Sequence, residues 1–137
     1  MSARTKARKR ALDILYGADL RGESIAAALG RESLRAESDT RRASSWDYAR
    51  TIVQGVADHG DEIDELIQTY AQGWTLARMP AVDRALLRMG VWEILFNEDV
   101  PDSVAISEAV ESARTHSTDD SAGFVNGLLG RIAATRG

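Results

Sequence analysis

Two histidines, no cysteine and twenty-one carboxylates are the groups from which this sequence could build a reactive site. His59 stands beside Asp58 and Asp61, and His116 stands shortly before Asp119 and Asp120. Neither has a second histidine at i+4, the spacing that puts two imidazoles on one helical face to hold zinc, and no thiolate supports them. A histidine in the last turn of a helix is favoured by the helix dipole alone, and an Asp-Asp pair at a helix start is a routine placement by the same dipole. Serines are scattered, so no Ser-His-Asp order can be assigned. The expectation is a non-enzymatic protein with no metal site and no cofactor.

Charge is distributed more tellingly. Arg4, Lys6, Arg8, Lys9 and Arg10 crowd the first ten residues, which contain no acid. The whole chain carries −4, so the rest carries −9. A cationic head attracts phosphates through long-range attraction and counterion release, whereas an acidic body suits a basic protein partner. The plain alternative for the head is a solvated, frayed terminus. Tyr16 tilts the balance towards binding. It lies two helical turns after Lys9 on the side away from the apolar stripe, and a ring beside a cation suits an unpaired base better than duplex DNA. Phe124 raises the same question near the C-terminus. It sits at the edge of a buried stripe, sharing a side with Asp120 and Arg131. A lone Phe is more often core, but here it is also a candidate stacking surface, and Asp120 is a candidate acceptor for a base amino group.

Helices must position these residues. Only Pro80 and Pro101 occur, each followed by a helical pattern, and alternating β-branched runs are absent. The spacing predicts helices over about 6–20, 24–36, 46–59, 61–72, 80–97, 101–116 and 119–134. A loop is expected at 37–45, a connector at 73–79, and stops at Gly22 and Gly60. Ala7, Ala11, Ile14, Leu15 and Ala18 form the first inward stripe, and Ile25, Ala28, Leu29 and Leu34 the second. The helix after Pro80 is apolar nearly all round and should be central. Its polar remnants, Asp83, Arg84, Arg88 and Glu93, mark either a docking edge or internal ion pairs. The acids around residues 58–65 read mostly as a solvated face. The fold class is therefore all-α, a compact bundle of about seven helices.

At 137 residues, 44% hydrophobic and 28% charged, the chain makes one ordinary domain. No apolar run approaches the length of a membrane span, and Asp13 and Asp19 break the stretch that a signal peptide would need. Absence of cysteine fits a reducing compartment, so a cytoplasmic location is expected.

Several blocks together resemble one family. They are Val100-Pro101-Asp102-Ser103-Val104-Ala105-Ile106-Ser107-Glu108-Ala109-Val110, Asp120-Ser121, and Phe124-Val125-Asn126-Gly127-Leu128-Leu129. Ala7-Arg8 to Ala11, Leu15-Tyr16, Val82 to Arg88 and Trp92-Glu93 add to them. In this order they are similar to the NusB family of bacterial transcription antitermination factors, over nearly the whole chain. The resemblance implies two small helical sub-bundles packed together, forming a single RNA-binding domain over residues 1–137 with a basic arm at 1–10. It implies single-stranded boxA RNA as ligand, NusE (a small-subunit ribosomal protein) as partner, and the RNA polymerase elongation complex as target. It places Arg4, Lys6, Arg8, Tyr16, Asp120 and Phe124 at or near RNA, with Lys9 and Arg10 extending the arm. It also places Asp83 where the partner docks, with Arg84 and Glu93 as its neighbours on that helix. Trp74 and Pro80 resemble the actinobacterial branch, in which some members form homodimers.

Three rivals stay open. A substrate-binding head of ribosomal RNA methyltransferases has the same fold, but would need a catalytic domain for which 137 residues leave no room. A helix-turn-helix DNA regulator would need a basic recognition helix, which the acidic fourth and sixth helices do not offer. A small helical enzyme lacks the site chemistry described above.

Overall fold

The computed structural model describes residues 2–38 and 43–136. Among the described residues there are seven α-helices, one 3-10 turn and no strand. The chain divides into two compact units, residues 1–58 and 59–137.

In the first unit, α1 (Ala3–Arg21) and α2 (Ile25–Glu37) both pack on α3 (Ala43–Asp58). Ser2 caps α1, its Oγ accepting from the Thr5 amide at 3.1 Å, and Gly22 closes the helix in the left-handed conformation. Ser24 caps α2 in the same way, accepting from the Ala27 amide. The predicted α1 stripe is buried throughout, with Leu12 added to it, and faces Ala49, Ile52, Val53 and Val56 of the core. Leu34 departs from expectation: it is 68% exposed, because Ala28 and Leu29 alone suffice for the buried face of α2. The loop expected at 37–45 is shorter, since Glu37 still belongs to α2 and α3 begins at Ala43. Its centre, 39–42, lies outside the described residues.

The second unit contains α4 (Gly60–Tyr70), a 3-10 turn (Leu76–Arg78), α5 (Ala81–Phe96), α6 (Asp102–His116) and α7 (Asp119–Ala134). Gly60 begins α4 rather than ending the helix before it, so His59 alone separates α3 from α4. Here α5 packs on α4, α6 and α7, and α6 and α7 pack on each other. As expected from its apolar circumference, α5 is central to this unit, with ten buried residues. At Gly90 an added Cβ would stand 2.7 Å from the Cδ1 of buried Leu129, so α5 and α7 approach at a distance only glycine permits. The acids at the start of α4 are only partly a solvated face. Asp64 takes a two-pronged ion pair from Arg88, at 2.9 and 3.1 Å. No helix among the described residues is long and apolar enough to cross a membrane.

Candidate nucleic-acid interface

The basic head is helix, not a frayed terminus. Ser2 starts α1 early enough that Arg4, Lys6, Arg8, Lys9 and Arg10 all hold helical positions. Arg4 and Lys6 lie in the first turn, where the helix dipole disfavours a cation by about 0.3–1 kcal/mol each. A rule broken locally calls for a compensating gain, structural or functional.

The five cations have different fates. Arg4 and Arg8 are one helical turn apart and both reach Tyr48 of α3, with guanidinium carbons 4.2 and 5.7 Å from the ring centroid. Arg10 lies over Trp46 at 4.9 Å. Arg4 remains exposed, Arg10 is half-buried, and Arg8 is only 8% exposed. Burial removes Arg8 from the solvated surface on which it was expected; its place is structural, against α3. Lys9 is exposed but engaged, its Nζ donating to both carboxylate oxygens of Asp13 at 2.7 and 2.8 Å. Lys6 is exposed.

Tyr16 is half-buried, as its position off the apolar stripe predicts. The cation expected beside it is neutralised, because Asp13 stands between Lys9 and Tyr16 on that side of α1 and holds the lysine. Sequence reasoning missed Trp46 and Tyr48 as partners of the head. The available signal was the i, i+4 spacing of Arg4 and Arg8 together with two aromatics flanking Asp47.

Below Arg10, an open cleft of about 770 Å³ is lined by Arg10, Asp13, Arg21, Arg31, Glu32 and Arg35 among others. Glu23 gathers Arg31 and Arg21 at its edge. The hydrogen bond from Arg31 is the main reason the Glu23 carboxyl lies below the ordinary carboxylate range, and Glu23 in turn raises Arg31.

In the second unit, α7 carries Asp120 and Phe124 one turn apart. The Thr118 side chain caps this helix, its Oγ1 accepting from the Ser121 amide at 3.0 Å. Ser121 is nearly buried and its hydroxyl sits 3.0 Å from those of both Ser117 and Thr118. This small network fixes the first turn and leaves Asp120 exposed. Phe124 is half-buried, and its ring centroid lies 6.3 Å from that of Trp74, tilted by 53°.

The residues expected at the protein partner behave differently from a contact face. Asp83 and Glu93 are 3% and 2% exposed. They are drawn in because α5 is surrounded on so many sides that even its polar positions are covered. Arg84 is half-buried and donates to the carbonyls of Leu76 (2.9 Å) and Met79 (2.7 Å), tying the 3-10 turn to α5. Asp83 keeps one buried carboxylate oxygen, Oδ1, without a hydrogen-bond partner.

No group of three or more metal-ligating side chains exists among the described residues. His59 stacks on Phe96 with centroids 3.9 Å apart, which gives it a packing role.

Comparison with known proteins points to one family. The model of the NusB family matches residues 5–134. The transcription antitermination protein NusB of Leifsonia xyli subsp. xyli is 68% identical over 136 residues, covering 99% of this chain and 94% of that protein. Among solved structures, T. maritima NusB superposes with a TM-score of 0.82 at 34% identity, covering 96% of this chain and 90% of that one. A structure of antitermination factors NusB and NusE in complex with dsRNA also has a TM-score of 0.82, at 27% identity and 98% coverage of both chains.

Proposed function

The chain belongs to the NusB family, and from that premise we propose that it serves transcription antitermination by gripping single-stranded boxA RNA together with NusE. The observation that carries the RNA reading is the row of cations set against the dipole at the start of α1. Arg4, Lys6 and Arg10 supply phosphate attraction that is salt-sensitive and weakly selective, while Lys9 is compensated by Asp13. Arg8 holds α1 against Tyr48 so that its neighbours stay in register. Tyr16, Phe124 and Asp120 supply preference among unstacked bases through stacking and hydrogen bonding. Residues 1–137 act as one RNA-binding domain in this reading, with residues 1–10 as its basic arm.

The partner reading rests on charge. The chain outside the head is strongly acidic, which suits a basic ribosomal protein. Asp83 and Glu93 are enclosed by the helices around α5, so in this reading they shape the docking edge from within, and Arg84 ties the 3-10 turn to it. NusE bound beside the RNA adds contacts to the same complex, which raises affinity for both. The assembled complex acts on RNA polymerase in the cytoplasm, where the nascent transcript is made. In this reading the chain is a non-enzymatic factor.

The test is a titration of a labelled boxA-like RNA and a scrambled RNA, with and without NusE, at low and high salt. The expected result is a preference for the boxA-like strand, a gain from NusE and a loss with salt. Equal affinity for both RNAs with no gain from NusE overturns the proposal. Light scattering on the same samples reports whether a homodimer forms without RNA and dissolves with it.

A further inference from the structure

Trp74 is the most conspicuous residue without a role so far. Its side chain is 55% exposed, although tryptophan is the largest apolar group a chain can bury. It follows an unusual turn. After α4 ends, Gln72 and Gly73 both adopt positive φ, +54° and +99°, and the Trp74 amide returns towards the Ala71 carbonyl. Gln72 is the one non-glycine with positive φ among the described residues. A side chain in that region is held at a cost, and such strain collects at functional positions.

The turn is held from α7. Arg131 donates through Nη2 to the Tyr70 carbonyl at 3.0 Å, which anchors the end of α4 just before the turn. Phe124 stands two helical turns before Arg131 on the same side of α7, and its ring meets that of Trp74. One face of α7 therefore sets both the base of the turn and the ring beside the exposed indole. The two rings are tilted rather than stacked, and the indole stays 55% exposed.

We infer that Trp74 is a second base-stacking surface, taking the nucleotide next to the one that meets Phe124 on the same RNA strand. The inference rests on the RNA reading above. An indole offers the largest π-face of any side chain, and stacking on it tolerates any base. The occupant is a nucleobase rather than an apolar protein segment because no large hydrophobic of α4, α5 or α7 is exposed to extend the surface beside Trp74. Trp74 meets Phe124, a candidate base contact, and one turn before Phe124 on α7 stands Asp120, whose exposed carboxylate suits a base amino group.

The experiment compares wild type, Trp74→Ala and Trp74→Phe for binding to a boxA-like single-stranded RNA, read by anisotropy and by tryptophan fluorescence. Trp74→Ala is expected to weaken binding on the order of tenfold, the effect of one lost base stack. Trp74→Phe is expected to retain most of the affinity while losing the part of the RNA-induced fluorescence change that Trp74 supplies. Moving a single abasic site along the RNA should find one nucleotide whose loss weakens wild type but has no further effect on Trp74→Ala. Unfolding temperature is measured for each variant, and Trp74→Phe carries the test alone if Trp74→Ala proves unstable. Wild-type affinity in Trp74→Ala, or a fluorescence change in Trp74→Phe equal to that of wild type, overturns the inference and leaves the RNA reading standing. A wild-type protein that does not bind the RNA overturns both.

Discussion

Lys6 and Lys9 are both exposed cations of the same helix, yet the structure predicts opposite outcomes for them. Lys9 already donates to both oxygens of Asp13, so its charge is compensated before any RNA arrives. Lys6 has no such acid in its helical turn, where residues 2–10 contain none. Each phosphate neutralised on a single strand contributes about 0.7 to the slope of log affinity against log salt. Lys6→Ala should therefore flatten the slope by about 0.7, so that a rise from about 50 to about 200 mM salt costs the variant two- to threefold less than it costs wild type. Lys9→Ala should leave the slope nearly unchanged. Asp13→Asn should do the reverse of a charge deletion, releasing Lys9 and steepening the slope by about 0.7. The assay is fluorescence anisotropy with one boxA-like RNA across a salt series, with all three variants checked for wild-type helicity. Equal effects of Lys6→Ala and Lys9→Ala, or an Asp13→Asn slope identical to wild type, would refute the argument that ion pairing within α1 sorts the head into free and spent charges.

Three further outcomes follow from the geometry. Gly90→Ala drives a Cβ to 2.7 Å from Leu129 and should destabilise the second unit by about 1–3 kcal/mol in thermal or urea unfolding. Thr118→Ala removes the cap on α7 and should cost about 1 kcal/mol in the same measurement, with weaker discrimination among RNAs because the first turn carries Asp120. Glu23 has its folded carboxyl lowered by Arg31, so its contribution is present above the ordinary carboxylate range and is lost as pH falls through the lowered value. Glu23→Gln should accordingly flatten the acid limb of a stability-against-pH curve, and an unchanged acid limb would show that the Glu23–Arg31–Arg21 cluster contributes nothing to folding.

The helices were legible in the sequence because their signals were local. Apolar residues recur at helical spacing, and α7 runs from Asp119 to Ala134 as its pattern predicts. Thr118 caps that helix, as a threonine just before a helical stretch can. Gly60 misled because glycine reads as a stop, yet it begins α4 with Asp61 and Glu62 in the first turn, where the dipole favours them. Leu34 misled because periodicity reports which residues share a side, not whether a neighbouring helix covers it. The site was legible only as a set of residue types. Nothing in the spacing of Asp83 and Glu93 distinguishes an acid at a docking edge from one enclosed by surrounding helices, since that depends on elements distant in sequence. The strained turn before Trp74 was equally hidden, because Gln72 is not a residue from which positive φ is expected.

A head of five cations would be read from sequence as a flexible polycation, and flexibility would make binding expensive. Ordering an unstructured arm on RNA costs roughly 1–2 kcal/mol of backbone entropy per residue. Here that ordering is complete beforehand: Ser2 fixes the first turn, Tyr48 receives two guanidinium groups, Trp46 receives a third, and Asp13 holds Lys9. The same contacts that take charge away from solution give the remaining charge a fixed direction. Cations held on rigid rings lose less freedom when a phosphate arrives, so affinity per free charge rises even as their number falls. The dipole penalty carried by α1 works in the same direction, because a bound phosphate relieves the crowding of like charge at a helix start. What the head gives up in reach it gains in preorganisation, and a strand with a defined spacing of phosphates and bases is then distinguished from polyanions in general.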